Sequence, residues 1–380
     1  MRTMDSAQSQ LIQIAERVRA AAADATPLRI RGGGTKDFHG LALQGELLDT
    51  RALAGVVSYE PSELVVTVRA GTPLAELEAL LAAQGQCLAF EPPHFEHAGS
   101  GRATVGGMVA AGLSGPSRAS VGAVRDFVLG LEMVNGRGEL LRYGGQVMKN
   151  VAGYDVSRLM AGSWGTLGLI TEVSLKVLPV APAEATLRFE CTQQQALDWL
   201  NAWGGQPLPL NASCWLREDG TTPGSLYLRL RGARAAVQAA CARLGGERVE
   251  NAAADWQACR EQQLPWFAAR APGHVLWRLS LPQTAPVQAL PAGCTGPLIE
   301  WHGALRWVQS PRALGHELRA LARAAGGAAT LFRSEAAGQP GAEPDFEAQA
   351  ADATALLHAR LKQAFDPAGI FNRGRMAAAW

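Results

Sequence analysis

Three consecutive glycines, Gly32-Gly33-Gly34, follow a short apolar stretch containing Leu28 and Ile30 and lead into Thr35 and Lys36. Glycine reaches φ > 0 without steric cost and lets a ligand come close to main chain. Consecutive N–H groups in such a bend form a concave nest that suits a phosphate. Thr35 and Lys36 would add a hydroxyl and a positive charge. The loop is not a G-x-x-x-x-G-K-[ST] phosphate loop, and no G-x-G-x-x-G follows a strand, so neither a Walker site nor a Rossmann dinucleotide site is indicated. Taken alone, the three glycines read equally well as a flexible turn.

Two further segments have unusual composition. Glu91-Pro92-Pro93-His94-Phe95-Glu96-His97 precedes Ala103 to Gly115, a stretch dense in glycine and alanine. Small side chains leave room for something large and flat against the backbone, or for two elements to pack closely. His94 and His97 lack the carboxylate–histidine spacing of a metal site, so no metal is expected. Further on, Lys149-Asn150-Val151-Ala152-Gly153-Tyr154-Asp155 is followed by Gly162-Ser163-Trp164-Gly165-Thr166-Leu167-Gly168-Leu169-Ile170. The strand-start backbone at Leu169-Ile170 could bond a purine edge; a helix cap and tight turn is the plainer reading.

The elements that must position these segments are partly visible. Leu64–Ala70 is a β-branched run and reads as a strand. Thr72 suits a helix N-cap and Pro73 the first helical position, with Leu74, Leu77, Leu80 and Leu81 repeating at helical spacing up to Gly85. Val128–Val134 and Glu139–Tyr143 flank Asn135-Gly136, a hairpin signal. Leu167–Val177 reads as one long strand or a pair. Beyond Leu178-Pro179-Val180-Ala181-Pro182 the composition shifts, and eight of the ten tryptophans lie between Trp199 and Trp307. There, strands (Thr186–Glu190, Ser225–Arg231, His274–Leu281, Leu298–Val308) alternate with helices (Gln194–Trp203, Ala233–Leu244, Pro311–Ala325). This predicts an antiparallel sheet with helices on one face. A last helix, Ala353 to Phe365, runs into the irregular, apolar Asp366-Pro367-Ala368-Gly369-Ile370-Phe371-Asn372.

In this order the segments resemble the flavin-binding domain of the vanillyl-alcohol oxidase/p-cresol methylhydroxylase (PCMH/VAO) superfamily, in its D-lactate and glycolate dehydrogenase branch. The matching words are Gly32-Gly33-Gly34-Thr35, Tyr59-Glu60-Pro61-Ser62-Glu63-Leu64, Ala103-Thr104-Val105-Gly106-Gly107, Gly122-Ala123-Val124-Arg125-Asp126, Lys149 to Asp155, Gly165-Thr166-Leu167-Gly168 and Asp366 to Asn372. Glu91-Pro92-Pro93-His94-Phe95, Gly112-Leu113-Ser114-Gly115-Pro116 and Glu300-Trp301-His302-Gly303-Ala304-Leu305-Arg306-Trp307 look most like the FAD-binding E subunits of bacterial glycolate oxidases.

The resemblance implies an α+β fold: a two-subdomain PCMH/VAO-type FAD-binding domain (residues 1–179), a ferredoxin-like cap lobe (180–350) and a C-terminal segment (351–380) that returns to the first domain. It implies non-covalent FAD as cofactor. Gly32, Gly33, Gly34, Thr35 and Lys36 would hold the pyrophosphate. Thr104, Gly106, Gly107, Leu113, Ser114 and Gly115 would line the flavin and ribityl chain, with Pro93 and His94 in the same cofactor-binding set. Gly122, Val124 and Ile170 would meet the adenine end, Gly168 belongs to the same cofactor-binding set, and Asn372 would sit near the flavin ring.

Catalytic relatives carry a His-x-Gly-Asp-Gly-Asn-x-His-like motif in the cap, and Glu where this chain has Trp164; the motif is missing here. Arg278 and Arg306 are the candidates to clamp a substrate carboxylate. The implied function is that of an FAD-binding subunit supporting oxidation of glycolate and D-lactate. Its partners would be a catalytic flavoprotein subunit and an iron–sulfur subunit that passes electrons to quinone. A stand-alone D-2-hydroxy acid dehydrogenase and a non-catalytic flavoprotein partner are the alternatives.

Bulk composition agrees with such an oxidoreductase subunit. The 380 residues carry 35 Lys plus Arg against 34 Asp plus Glu, a net charge of +1, which argues against a nucleic-acid binder. Six cysteines without a C-x-x-C pair argue for buried thiols in a reducing compartment rather than a cluster or disulfide scaffold. Neither a signal-like N-terminus nor a long apolar run is apparent, so the expected location is the cytoplasm, with peripheral membrane attachment through partners.

Overall fold

The structure is a computed structural model that describes residues 2–42, 44–145, 155–217, 223–334 and 353–377. Of the sequence motif Lys149 to Asp155, only Asp155 lies within the described residues.

The chain starts with a helix, Arg2–Ala23, where the sequence suggested no element. Val18 and Ala21 on its inner side pack on Leu28, Leu48, Val134, Leu169, Ile370 and Phe371. Strand β1 (Leu28–Arg31) pairs in parallel with β2 (Glu46–Asp49). Strands β3 (Val56–Glu60) and β4 (Val65–Arg69) form a hairpin across a single turn at Pro61–Glu63. The β-branched run of β4 is buried on both faces, so it reads as continuously apolar.

The helix after it is Leu74–Ala82. Pro73 occupies the N-cap position and Thr72 does not cap. The Thr72 hydroxyl instead accepts from the N–H of Gly55 (3.0 Å) and donates to its carbonyl (3.2 Å), tying the helix entry to the preceding loop.

A short strand, β5 (Gln86–Cys87), is followed by β6 (Val128–Val134), β7 (Leu140–Gly144), β8 (Leu169–Lys176) and β9 (Leu178–Pro179). The β6–β7 hairpin forms as its Asn-Gly signal suggests, with the Asn135 side-chain oxygen accepting from the N–H groups of Arg137 (2.9 Å) and Glu139 (3.0 Å). One antiparallel sheet results, in the order β3-β4-β8-β6-β7. The Leu167–Val177 stretch is a single strand starting at Leu169. The connector at Leu178-Pro179 is not free: it pairs with Gln86–Cys87.

The remaining strands are β10 (Ala183–Cys191), β11 (Leu210–Leu216), β12 (Gly224–Gly232), β13 (Glu247–Val249), β14 (His274–Ser280), β15 (Thr295–Glu300), β16 (Leu305–Pro311) and β17 (Ala328–Arg333). They form one sheet in the order β13-β10-β12-β11-β15-β16-β14-β17. Each half has a ferredoxin-like strand order, and the halves join edge to edge where Cys214 and Trp215 of β11 pair with Glu300 and Ile299 of β15. The predicted strand Leu298–Val308 is thus two strands, split at Trp301–Gly303. Both Trp301 and His302 adopt φ near +55°, and Gly303 adopts +105°, which reverses the chain.

Helices Gln193–Gly204 and Arg234–Leu244 cover one face of this sheet over one half, and Gly315–Ala324 covers the same face over the other. The opposite face carries Cys214, Leu276, Leu298, Leu305, Trp307 and Phe332, and packs on Phe38, Phe95, Leu113 and Trp164 of the N-terminal part. The fold is α+β throughout. Among the described residues, no helix is long and apolar enough to cross a membrane.

Candidate functional site

A cleft opens where β1 ends. Gly34 has φ +73°, and a Cβ on Gly33 would fall 1.8 Å from the carbonyl oxygen of Arg102. The Gly33 carbonyl accepts from the N–H of Gly101 (2.8 Å), so the loop is locked against residues 101–104. These contacts, not flexibility, require glycine here. No acceptor is found among the described residues for the N–H groups of Gly32 through Lys36. A main-chain run of unspent donors facing a cleft is the arrangement an anion needs.

Lys36 is buried beside it. Its Nζ donates to the Thr35 hydroxyl (3.2 Å) and the His94 carbonyl (3.2 Å) and lies 5.6 Å from the Phe95 ring centre. Burial lowers its pKa to about 8, against the pull of Glu261 and Glu96 and with a further push from Arg333. An incoming anion would favour the charged form.

The far wall is a helix, Val105–Ala111, whose N-cap Thr104 accepts from the N–H of Gly107 (3.3 Å). Gly106 packs against Ala70 too closely for any side chain, whereas Gly107 faces the open cleft. The near wall comes from the turn before β8 and from the returning C-terminus. Asn372 accepts from the N–H of Ile30 (2.8 Å) and donates to the carbonyl of Trp164 (2.7 Å). The backbone of the same residue donates to Leu28, which donates in turn to Ile370. Below this, the Lys362 ammonium donates to Asp366 (2.7 Å) and to the carbonyls of Thr166 (2.8 Å) and Phe371 (3.0 Å). Burial lowers the Lys362 pKa, with Asp366 opposing.

The cleft brings together Gly32, Gly33, Gly34, Thr35, Lys36, Thr104, Gly106, Gly107, Gly168, Ile170 and Asn372 of the residues singled out in sequence. Further groups that the sequence did not assign to the cofactor line or back the cleft. Arg375 donates to the Lys36 carbonyl (2.8 Å) and its guanidinium lies 5.2 Å from the Trp164 ring. His39 stacks on Trp164 at 4.2 Å. Trp164 itself, in the left-handed region at φ +53°, closes the near wall. Its position before Gly165 was the available signal.

Pro93, Leu113, Ser114 and Gly115 are not in that cleft. They line an adjoining hollow against the cap sheet, with Phe95, Cys259, Arg260, Gln262, Arg278, Glu300, Trp301, Leu305, Trp307 and Phe332. His94 stands between the two spaces, its ring nitrogen 2.9 Å from Glu78 and its carbonyl on Lys36. Gly122 lines a separate depression with Arg118, Asp126 and Trp301. Val124 is wholly buried, its N–H donating to the Ser114 hydroxyl (3.2 Å). Arg306 does not reach either space. Strand alternation turns it away from Trp307, and its guanidinium donates to the carbonyls of Ala285 (2.5 Å), Pro286 (2.7 Å) and Gly303 (3.3 Å). It holds a loop, and burial lowers its pKa to about 10.

Ion pairs bolt the cap to the first part. Glu91, at φ +48°, takes both oxygens to Arg229 (2.7 Å each) and one to Arg231 (3.0 Å). Burial pushes the Glu91 pKa up, but Arg229 and Arg231 outweigh it and hold the group low. Glu261 accepts from the N–H groups of His94 (3.1 Å) and Phe95 (2.8 Å). Trp301 donates its indole N–H to the Gly115 carbonyl (2.9 Å).

The donor run, the adjacent lysine and the small-residue wall fit a nucleotide diphosphate with an extended group lying along Thr104–Gly107. The comparisons agree. The sequence profile described as FAD binding domain matches residues 10–144. The chain is 46% identical over 379 residues to the glycolate oxidase subunit GlcE of Escherichia coli K12, covering 100% of this chain and 99% of that protein. It is 33% identical over 163 residues to the glycolate oxidase subunit GlcD of Bacillus subtilis 168, covering 42% of this chain and 34% of that protein. Its fold matches alkyldihydroxyacetonephosphate synthase with a TM-score of 0.61 at 16% identity, over 94% of this chain and 73% of that one. The chain carries an FAD-binding domain and belongs to the family of the glycolate oxidase subunit GlcE.

Proposed function

We propose that this chain is the FAD-binding subunit of a bacterial glycolate oxidase, supporting oxidation of glycolate and D-lactate. The observation that carries the reading is the unspent N–H run from Gly32 to Lys36 at the mouth of the cleft. Bound FAD supplies two-electron oxidation chemistry there. The chain's own residues hold and orient it. Main-chain donors and Lys36 take the diphosphate; Thr104, Gly106 and Gly107 give it a flat wall; Gly168, Ile170 and Asn372 close the other side. Pro93, Leu113, Ser114 and Gly115 receive whatever extends from the cleft towards the cap. In this division residues 1–179 hold the nucleotide, 180–350 cover it and 351–380 close the near wall.

The partners are a catalytic flavoprotein subunit and an iron–sulfur subunit that passes electrons to quinone, with the assembly at the cytoplasmic face of the membrane. The names of the relatives, glycolate oxidase subunits GlcE and GlcD, support a second subunit as partner. A second reading, oxidation of a 2-hydroxy acid at this chain's own flavin, is favoured by Arg278, which the cap presents to the hollow next to the cleft.

The test is purification of the chain alone and with its candidate partners. The expected result is a bound-flavin visible spectrum for the chain alone and glycolate-dependent reduction of a quinone analogue by the assembly. A colourless chain that takes up no added FAD would overturn the reading.

A further inference from the structure

A second space lies in the cap, on the far side of Cys259 from the hollow. It is a slot of about 730 Å³ between the inner face of the large sheet and the short helices Ala253–Arg260 and Pro265–Ala268. Among the described residues it shares no lining group with the nucleotide cleft and only Cys259 with the hollow. Its floor crosses six neighbouring strands, from Val249 of β13 through Thr186, Tyr227, Cys214 and Pro297 to Gln309 of β16. The five spacings between those strands amount to about 24 Å.

The lining decides what charge an occupant can carry. The floor thiol of Cys259 is bonded to Cys214, buried and beside Glu300, all of which raise its pKa and keep it neutral. Arg217 is at the rim but lays its guanidinium against the Trp215 ring, 5.9 Å away, on the helix-covered face of the sheet. Asp255, also at the rim, is exposed. No cation among the described lining residues is turned into the slot, so an anionic ligand finds no charge partner there. The slot offers instead the apolar side chains of Leu216, Val249 and Leu264, the rings of Trp256 and Trp266, and a few neutral donors. The Thr186 hydroxyl accepts from the Trp256 indole (2.9 Å) and keeps its own hydrogen to donate. The buried Gln309 amide gives one hydrogen to the Trp266 carbonyl (2.7 Å) and has a second.

A row of ring contacts joins this slot to the nucleotide cleft. Trp164 of the cleft wall stacks on His39 (4.2 Å between centres), and His39 meets Phe332 (5.6 Å). Phe332 meets Trp307 (4.9 Å), Trp307 meets Phe267 (6.0 Å), and Phe267 meets Trp266 (5.1 Å) in the slot. A core needs aromatic pairs for packing, but packing does not require a series of them to run from one cavity to another.

We propose that the slot binds a quinone with an apolar tail, its ring at Trp266 with one carbonyl on the Gln309 amide and its tail running towards Val249, and that the row of rings is its electronic contact with the cleft. A quinone is neutral and flat and has only acceptors at its polar end. It therefore suits neutral donors and aromatic walls where a carboxylate does not. Its reduction to the hydroquinone takes up two electrons and two protons, the complement that a two-electron cofactor in the cleft releases. The acceptor site is then a property of this chain and not of the iron–sulfur subunit alone. The electronic link rests on the FAD reading above; the binding site does not.

The experiment uses the full chain as purified and decylubiquinone as the probe. Binding is read by calorimetry and flavin content by absorbance. The expected result is saturable, stoichiometric binding. The same quinone without its decyl tail should bind at least roughly tenfold more weakly, since each buried CH₂ contributes about fourfold. Palmitate, with a tail but an anionic head, should not compete. Ala269→Trp, at the exposed rim, should weaken binding by at least roughly tenfold by overfilling the slot, with the flavin band unchanged. Phe267→Leu interrupts the row of rings; it should leave binding intact and slow the anaerobic reoxidation of reduced flavin by the quinone. A flavin-loaded chain without saturable quinone binding, an Ala269→Trp variant that binds as tightly, or effective competition by palmitate overturns the inference and leaves the FAD reading standing. Unchanged reoxidation in Phe267→Leu overturns the electronic link. Loss of quinone binding when the partner subunits assemble also overturns the inference, because the slot is then a protein interface. Quinone binding by a chain that takes up no flavin supports the site and overturns the FAD reading.

Discussion

Asn372 reaches across 208 residues of sequence to donate its side-chain amide to the carbonyl of Trp164, at 2.7 Å. Its oxygen accepts from Ile30 at 2.8 Å, so one side chain joins the strand before the glycine bend, the turn before β8 and the C-terminus. The cleft exists because these three segments are held in register.

Asn372→Ala removes both bonds and places alanine at φ +41°. Each lost hydrogen bond leaves a buried backbone partner unpaired, at about 1–3 kcal/mol. A stability loss of about 3 kcal/mol is expected by urea unfolding, with weaker retention of FAD. An unchanged midpoint would show that the near wall is held by other contacts.

Gly33→Ala tests the bend itself. The added methyl collides with the backbone of Arg102, which cannot swing aside as a side chain would. The loop must move, and the expected outcome is loss of most bound flavin with a melting temperature of the flavin-free protein within a few degrees of wild type. Flavin content after gel filtration decides it.

Lys36 is kept charged at a cost. Its pKa is lowered to about 8 by burial, so the folded state binds this proton less tightly than the unfolded one. That penalty is fully present below pH 8 and fades as pH rises towards the unfolded value, 10.5. Lys36→Met removes up to about 3 kcal/mol of penalty at neutral pH, less what the orphaned His94 carbonyl loses. The flavin-free variant should gain stability at pH 7 while its FAD affinity falls at least tenfold, roughly the worth of one charge-assisted bond.

Glu91 and Glu300 should give opposite pH signatures. Glu91 is held low by Arg229 and Arg231, so its contribution is present at neutral pH and is lost as pH falls through its depressed pKa. Glu91→Gln leaves a buried arginine without its charge partner and should cost about 3–5 kcal/mol at pH 7. Glu300 is raised, from 4.5 to about 7, so the folded state binds its proton more tightly. Stability therefore falls as pH rises from the unfolded value to about 7 and is level above it, a total of about 3 kcal/mol. Glu300→Gln should flatten that fall, and unfolding measured at pH 5 and pH 8 in both variants checks the pair.

Much of the cleft was legible because its residues are local: the glycine bend, the Thr104 cap and the start of β8 are each defined within a few positions. The hollow was not. Glu300 meets Cys259 and Cys214 only because β11 and β15 join two half-sheets, and β11 is buried on both faces, which erases the alternation that marks a strand. Two left-handed non-glycine residues at Trp301 and His302 hid the turn that splits the predicted strand 298–308. Arg278 and Arg306 look alike in sequence; only the cross-strand register shows that Arg278 sits beside Trp307 and Arg306 on the other face. Thr72 resembled a cap and instead ties the helix entry to Gly55, a contact with a loop that local pattern does not reveal.

The most direct test of the central claim is amide hydrogen exchange across residues 30–37 with and without FAD. The N–H groups of Gly32 to Lys36 lack acceptors among the described residues and should exchange rapidly in the flavin-free chain. Strong protection of this peptide on FAD binding, absent with riboflavin, is the predicted result. A chain that shows its full flavin band while residues 32–36 exchange as fast as before would contradict the account.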